Sequence, residues 1–327
     1  MPQITLLVAV YNAADTLPRC LDSLLAQTLT DIQIICIDDA STDESPAVLA
    51  RYAASDSRIT LVRLTENGGQ AHARNLGLER ATGTFIGMVD ADDWLAPDAL
   101  ERVMKVVAEH PETDAVLFDL IRVWPDGREE DYWSSCGHVD PKSWSGLEAM
   151  RLSLRWKIHG LYLVCAGIHK AYPYDETARL YSDDNTTRLH YLHSREVRPS
   201  AGRYYYYQNP RSTTNSVTML KFESLRAQLH MHQMLEEEGV APDIIADYEQ
   251  YRWLGVVDCC YYYFLHRRAF TPKERHTARL AIADAYATFP TSFSSPQKFG
   301  YRQCRNFRRF WLQERLYFTL RILLRGQ

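Results

Sequence analysis

Phe85-Ile86-Gly87-Met88-Val89-Asp90-Ala91-Asp92-Asp93-Trp94 is the stretch on which the fold turns. An apolar run of strand length stops in three carboxylates crowded into four positions. Such a run predicts a strand buried on both faces, with its C-terminal end opening into a crevice. Carboxylates packed this closely repel one another unless water, a cation or a basic group neutralises them. Hard divalent cations, Mg²⁺ or Mn²⁺, take oxygen ligands and commonly join one or two carboxylates to a substrate diphosphate. The alternative is a polar turn in which Asp92 or Asp93 caps a helix beginning near Pro97.

Upstream, residues 4–10 are a continuous apolar run followed by Tyr11-Asn12. Asp15 is expected to cap a helix carrying Leu17, Leu21, Leu24 and Leu25 on one face. Further strands are expected at 32–37, 59–64 and 84–89, separated by helices ending near residue 54 and spanning 70–80. This alternation predicts an α/β fold, a mostly parallel sheet with helices on both faces. In such sheets ligands bind beyond the carboxyl ends of the strands. Three of those ends carry notable polar residues: Tyr11, Asp38-Asp39 and Asp90-Ala91-Asp92. The turn at residues 11–15 has no glycine triplet, and the chain has no P-loop. A nucleotide site would therefore be built from side-chain carboxylates and a metal.

At 327 residues, 46% hydrophobic and 24% charged, the chain has an ordinary globular composition. A net charge of −4 argues against nucleic-acid binding driven by global charge. Its seven cysteines are odd in number and lack metal-ligand spacing, and no signal peptide is expected ahead of the first strand. They are expected to be reduced thiols in a cytoplasmic protein. No apolar run approaches the roughly 20 residues of a spanning helix.

Four segments follow in order: Val8-Ala9-Val10-Tyr11-Asn12; Ile37-Asp38-Asp39-Ala40-Ser41-Thr42-Asp43; Gly69 through Ala73-Arg74-Asn75-Leu76-Gly77; and Val89-Asp90-Ala91-Asp92-Asp93-Trp94. Together, over about residues 1–215, they closely resemble the non-processive, inverting members of the family 2 glycosyltransferases. That resemblance implies the GT-A fold, a nucleotide-sugar donor and Mn²⁺ or Mg²⁺. It implies that Tyr11 stacks on the base and that Asp39 accepts a hydrogen bond from uracil N3. Ala9, Arg74, Asp90 and Ala91 complete the implied nucleotide-binding set, and Asp92 is the implied metal ligand. Arg74 suits a phosphate or base edge; a locally paired helix-surface arginine is the other reading.

Downstream, a strand is expected at 114–122, a tight turn at Pro125-Asp126-Gly127, and a capping box at Ser145 and Glu148. Residues 161–168 read as a strand flooring the acceptor site. About 90 residues after the metal motif stands a second acidic pair, Asp183-Asp184. The resemblance places the catalytic base at Asp184, with Asp183 as an acceptor or diphosphate contact where the family carries Glu. Both could instead cap a helix over 185–192. Residues 204–207 are four tyrosines, expected to form a strand with aromatic faces both ways. Relatives commonly carry Arg near 207–208, which points to Arg211 as a displaced diphosphate contact. Gln208-Asn209-Pro210-Arg211 is similar to the Gln-x-x-Arg-Trp element of processive relatives, but Ser212 replaces the Trp.

The domain organisation expected is a GT-A domain over 1–217, with a nucleotide-binding half (1–95) and an acceptor half (96–217). A helical subdomain over 218–300 and a basic, aromatic terminal helix over 301–327 complete it. Helices are expected at 220–238, 244–266 and 272–288. His230 and His232 face different sides of a helix and make a poor metal pair. Residues 301–327 hold seven arginines and one acid, Glu314. Phe307, Trp311, Phe318 and Ile322 form one apolar stripe of that helix; Leu312, Leu316, Leu320 and Leu323 form another. One stripe suits the helical subdomain. The other, rimmed by arginine, suits an anionic membrane surface at the inner face of the cytoplasmic membrane, with a protein or dimer interface as the alternative.

The sequence thus leads to transfer of a sugar, with a UDP-sugar as the expected donor, to a hydroxyl of a glycan or lipid-linked acceptor. Two rival classes are a sugar-nucleotide nucleotidyltransferase, whose Gly-rich basic loop is missing at 11–15, and a catalytically silent sugar-nucleotide-binding subunit.

Overall fold

The computed structural model describes residues 2–133, 143–181, 183–210, 212, 216–290 and 306–324. Its first elements are β1 (Ile4–Val10), α1 (Leu17–Leu25), β2 (Ile32–Asp38), α2 (Ser45–Ser55), β3 (Ile59–Arg63), α3 (Gln70–Leu78) and β4 (Phe85–Met88). There follow β5 (Trp94–Leu95), α4 (Ala99–Glu109), β6 (Thr113–Val123), β7 (Glu129–Asp131), β8 (Trp144–Ser145) and α5 (Gly146–Ser153). Then come β9 (Tyr162–Cys165), α6 (Ala166–Ala171), α7 (Asp183–Leu192) and β10 (Glu196–Tyr207). The described residues divide into two compact units, Met1–Glu176 with Asp183–Ser212, and Thr177–Ser182 with Thr213–Gln327.

In the first unit β1 sits inside the sheet, and its unbroken apolar run is buried from both sides. Leu6 and Val8 join one hydrophobic cluster with Leu21 and Leu24 of α1, while Leu7 joins another with Ala71 and Ala73 of α3. Alternate side chains of a strand point to opposite faces, so helices cover both. The sheet order is β3-β2-β1-β4-β9-β6-β10-β5. From β3 to β4 the neighbours are parallel.

Beyond β4 the sheet, expected to be mostly parallel, becomes mixed. β9 runs antiparallel to both β4 and β6, and β5 runs antiparallel to β10, while β10 is parallel to β6. The strand expected over 161–168 ends at Cys165: Ala166 N–H donates to Thr84 O at 2.8 Å, and Ile168 lies in α6. Contact between β4 and β9 is tight enough to require a glycine. A Cβ at Gly87 would collide with the Leu163 side chain and Tyr162 O.

Two local expectations meet different outcomes. Asp15 does not cap α1. Thr16 occupies the cap position, and the Thr16 and Leu17 N–H groups turn back onto Ala13 O at 3.0 and 2.9 Å. At α5 the capping box forms: Ser145 Oγ accepts from Glu148 N–H, and the Glu148 carboxylate accepts from Ser145 N–H at 2.9 Å.

In the second unit a 3₁₀ turn (Met219–Glu223) leads to α8 (Ser224–Glu237), α9 (Pro242–His266), α10 (Pro272–Ala287) and α11 (Phe307–Leu324). Their shared core is aromatic, including Phe222, Trp253, Phe264, Phe289, Phe310 and Phe318. Cys259 and Cys260 are buried within it as free thiols. Among the described residues no helix is long and apolar enough to cross a membrane.

Gly146 opens α5 directly against the end of α7, where a Cβ would strike the carbonyl oxygens of Tyr191, Leu192 and Ser194. Gly146→Ala is expected to lower stability by about 1–3 kcal/mol. Urea unfolding should show this as a shifted midpoint with an unchanged slope.

Candidate active site

The carboxyl ends of β1, β2 and β4 and the start of α7 carry the polar residues singled out in the sequence. At the end of β2, Asp39 is buried, and its two carboxylate oxygens accept from Gly68 N–H (2.7 Å) and Gly69 N–H (2.9 Å). That carboxylate therefore fixes the loop leading into α3. Each oxygen keeps a second lone pair. Tyr11, 51% exposed, stands at the end of β1. Ala9 is half-buried in β1, in register with Ile37. The turns behind these ends need left-handed backbone at Asn12 (φ 50°) and Ala40 (φ 57°). The Asn12 side chain helps hold this geometry by accepting from Thr42 N–H at 2.8 Å.

Past β4 the three carboxylates go separate ways. Asp93 is fully buried, accepting from Tyr204 O–H (2.7 Å) and Tyr207 N–H (2.8 Å). Burial, with Asp90 and Asp92 nearby, raises its pKa well above the usual carboxylate value. Asp92 accepts from Asn209 Nδ2 at 3.0 Å, and burial followed by the charge of Asp90 raises its pKa as well. Asp90 Oδ1 accepts from Gln70 Nε2 (2.8 Å) and Arg74 Nη2 (2.6 Å). Ala91, between them, is buried in the main core.

Arg74 joins the two halves of the site. It is 1% exposed, bonded to Asp90, with Nη1 3.9 Å from Asp183 Oδ2. Burial works against its charge, yet Asp90, Tyr174 and Asp183 together hold the guanidinium pKa above its ordinary value. Its Nε and Nη1 are buried without a hydrogen-bond acceptor. Two donors of a permanently charged group are thus left over between the acidic clusters, a setting suited to a diphosphate.

Asp183 and Asp184 form the first turn of α7, where the helix dipole favours negative charge. Asn185 donates to Asp175 at 2.8 Å, and Thr186 Oγ1 accepts from Asp175 N–H at 2.9 Å. Asn75 of α3 in turn holds Tyr174, donating to its carbonyl and accepting its N–H. In the middle of α7, burial lowers the His190 pKa to about 4. With Nε2–H donated to Tyr172 O, its Nδ1 accepts from Tyr162 O–H at 2.6 Å. Burial, then the charge of Asp183, pushes the Asp184 pKa up to about 8. Of the pair, Asp183 is the residue in contact with Arg74.

Sequence reasoning did not single out Gln70, Asn209, Arg19 or the individual roles of the tyrosines. Arg19 donates to Asp92 O at 2.7 Å and lies over the Trp94 ring at 3.7 Å. Along β10, Tyr204 faces Asp93, so Tyr206, two residues on, turns the same way. Tyr206 is 38% exposed, and burial with Asp90, Asp93, Asp92 and Asp183 raises its pKa. The period-two rule applied to residues 204–207 was the available signal. Arg211 lies outside the described residues.

The oxygen-only donor set fits a hard divalent cation. Asp90 and Asp92 each keep one oxygen outside the hydrogen bonds above, and burial, then the neighbouring charge of Asp90, raises the Asp92 pKa. Among the described residues no three His, Cys, Asp or Glu side chains form a ready cage. A cation here would share its coordination with substrate oxygens.

The model of "Glycosyl transferase family 2" matches residues 5–172. The chain belongs to that family. This glycosyltransferase family 2 chain is 40% identical over 105 residues to the succinoglycan biosynthesis protein ExoO of Rhizobium meliloti (strain 1021), covering 32% of the chain and 30% of the relative. The chain spans half or less of the length of the curated relatives it matches. Among solved structures it resembles S. aureus TarS 1–349 in complex with UDP-GlcNAc, with TM-score 0.63, 19% identity and coverage of 89% of this chain and 82% of that one. It also resembles the mannosyltransferase PcManGT of Pyrobaculum calidifontis in complex with GDP-Man and Mn²⁺, with TM-score 0.53, 18% identity and coverage of 100% and 88%. At such identities these two likenesses concern the GT-A fold of the family alone.

Asp93 accepts at both of its carboxylate oxygens, and asparagine keeps its size and one of those two acceptors. Asp93→Ala should cost about 1–3 kcal/mol by leaving Tyr207 N–H and Tyr204 O–H unmatched, whereas Asp93→Asn, which keeps one acceptor, should recover part of it. Thermal or urea unfolding of the two variants tests this.

Proposed function

We propose that this protein is an inverting, metal-dependent glycosyltransferase that moves a sugar from a UDP-sugar to a hydroxyl of a glycan or lipid-linked acceptor at the inner face of the cytoplasmic membrane. The observation that carries this reading is Arg74, bonded to Asp90 and 3.9 Å from Asp183, which brings acidic clusters distant in sequence to one site. Family membership supports sugar transfer. Complexes of the fold neighbours with UDP-GlcNAc and with GDP-Man and Mn²⁺ support a nucleotide-sugar donor and a divalent cation. The name of ExoO supports a polysaccharide product.

In this reading Tyr11 stacks on the base and Asp39 accepts from uracil N3–H through its spare lone pairs, with Ala9 and Ala91 lining the nucleotide. Arg74 donates to the diphosphate, and Asp183 orients that guanidinium or the acceptor; Arg211 would add a diphosphate contact. Asp92, with Asp90 beside it, would hold Mn²⁺ or Mg²⁺, which offsets charge on the departing diphosphate. The acceptor oxygen attacks the anomeric carbon as the bond to the diphosphate breaks, UDP leaves, and the hydroxyl proton passes to Asp184. A carboxylate with a pKa near neutrality suits that role better than an ordinary surface aspartate.

Asp184→Asn should lower UDP release in the presence of acceptor by about 10²–10⁴-fold while UDP binding with Mn²⁺ persists. Asp183→Asn should leave substantial turnover; if it alone abolishes turnover, the base is Asp183. For the wild type, kcat/KM should rise with pH through about 8, since the protonated acid cannot accept a proton. Asp92→Ala should make UDP binding insensitive to Mn²⁺, read by titration calorimetry with and without the ion.

A further inference from the structure

The terminal helix α11 presents two unlike faces. Phe310, Trp311 and Phe318 are buried in the aromatic core of the second unit, with ring centroids 5.4 Å (Phe310 to Trp253), 5.1 Å (Trp311 to Tyr263) and 5.2 Å (Phe318 to Tyr261) apart. Leu312, Leu316, Leu320 and Leu323 stay 55, 59, 59 and 72% exposed, and Leu324 follows at 85%. At about 100° per residue the first four fall within an arc of roughly 80°. They form a continuous apolar ridge rather than scattered surface leucines, and it extends about 18 Å along the helix to Leu324 at 1.5 Å per residue. A ridge of this kind marks an interaction surface.

Charge decides the occupant. Arg308, Arg309 and Arg315 are exposed, and Glu314, the one acid of this helix, is fully buried. Apolar side chains bordered by arginines, with no exposed carboxylate on the helix, match an anionic lipid headgroup layer over hydrocarbon. A second copy pairing through this helix would bring no acid to meet those arginines. We infer that α11 is a membrane-surface anchor, lying in the plane of an anionic bilayer with its leucine ridge inserted among the lipids. The helix is too polar to span, so the anchoring is peripheral and reversible. This assignment stands on the second unit alone and does not rest on the sugar-transfer reading.

The full chain should co-sediment with vesicles of phosphatidylcholine mixed with phosphatidylglycerol, and much less with phosphatidylcholine alone. Added salt should weaken the binding. Leu316→Ser/Leu320→Ser and Arg308→Ala/Arg309→Ala/Arg315→Ala should each lower the vesicle partition coefficient by about tenfold or more. Their unfolding midpoints and UDP binding should stay as in the wild type, because these side chains are exposed. Absence of wild-type binding, equal binding to both vesicle types, or unchanged binding by either variant overturns the proposal. So does a wild-type dimer that the leucine variant converts to monomers, which would assign the ridge to a second copy.

Discussion

A buried guanidinium that cannot give up its proton organises this molecule. Charge withdrawn from water is costly unless matched nearby, and the match for Arg74 comes from two places far apart in the chain, Asp90 after β4 and Asp183 at the head of α7. Each carboxylate alone would be in difficulty: Asp90 belongs to a crowd of three, and Asp183 abuts Asp184. Around the single cation the repulsion becomes attraction, and the end of the sheet acquires one definite shape. Asn75, on the same helix as Arg74, repeats the idea in neutral form by clasping Tyr174.

The match of Arg74 is incomplete, and that is informative. Two of its donors face no acceptor, and the pKa values of Asp92, Asp93 and Asp184 are all raised. Such groups destabilise a fold left to itself, and they cluster where a charged ligand can settle them. The surplus donors meet the carboxylate crowd at Asp90, and an anionic ligand and a cation would each offset a different part of that imbalance.

Much of this was legible in the residues. Unbroken apolar runs such as residues 4–10 can be buried only between two layers, and the carboxylates at their ends declare a crevice. Asp183-Asp184 was visible as a pair, but not which member meets Arg74, because that depends on the angle at which α7 arrives. Gln70, Asn209 and Arg19 have ordinary side chains at positions without periodic signal, and only long-range packing gives them their places. Asp15 looked like a cap and is not one, since the carbonyl of Ala13 already collects the N–H groups at the start of α1. The antiparallel β9 was hidden because its apolar residues suit either direction. In α11 the two stripes were plain from spacing, and the structure distinguishes them by burying the aromatic one and leaving the leucines in solvent.

The position of β9 sets an order of events. It lies between β4 and β6, so the parallel layer built from residues 4–88 has no neighbour on its β4 side until residues 162–165 leave the ribosome. Through more than seventy intervening residues that rim offers unpaired backbone groups, the kind of edge that recruits stray strands. Gly87 gives the rim a gap fitted to Leu163 and the Tyr162 carbonyl, so the late strand fills a place that a bulkier intruder would not fit.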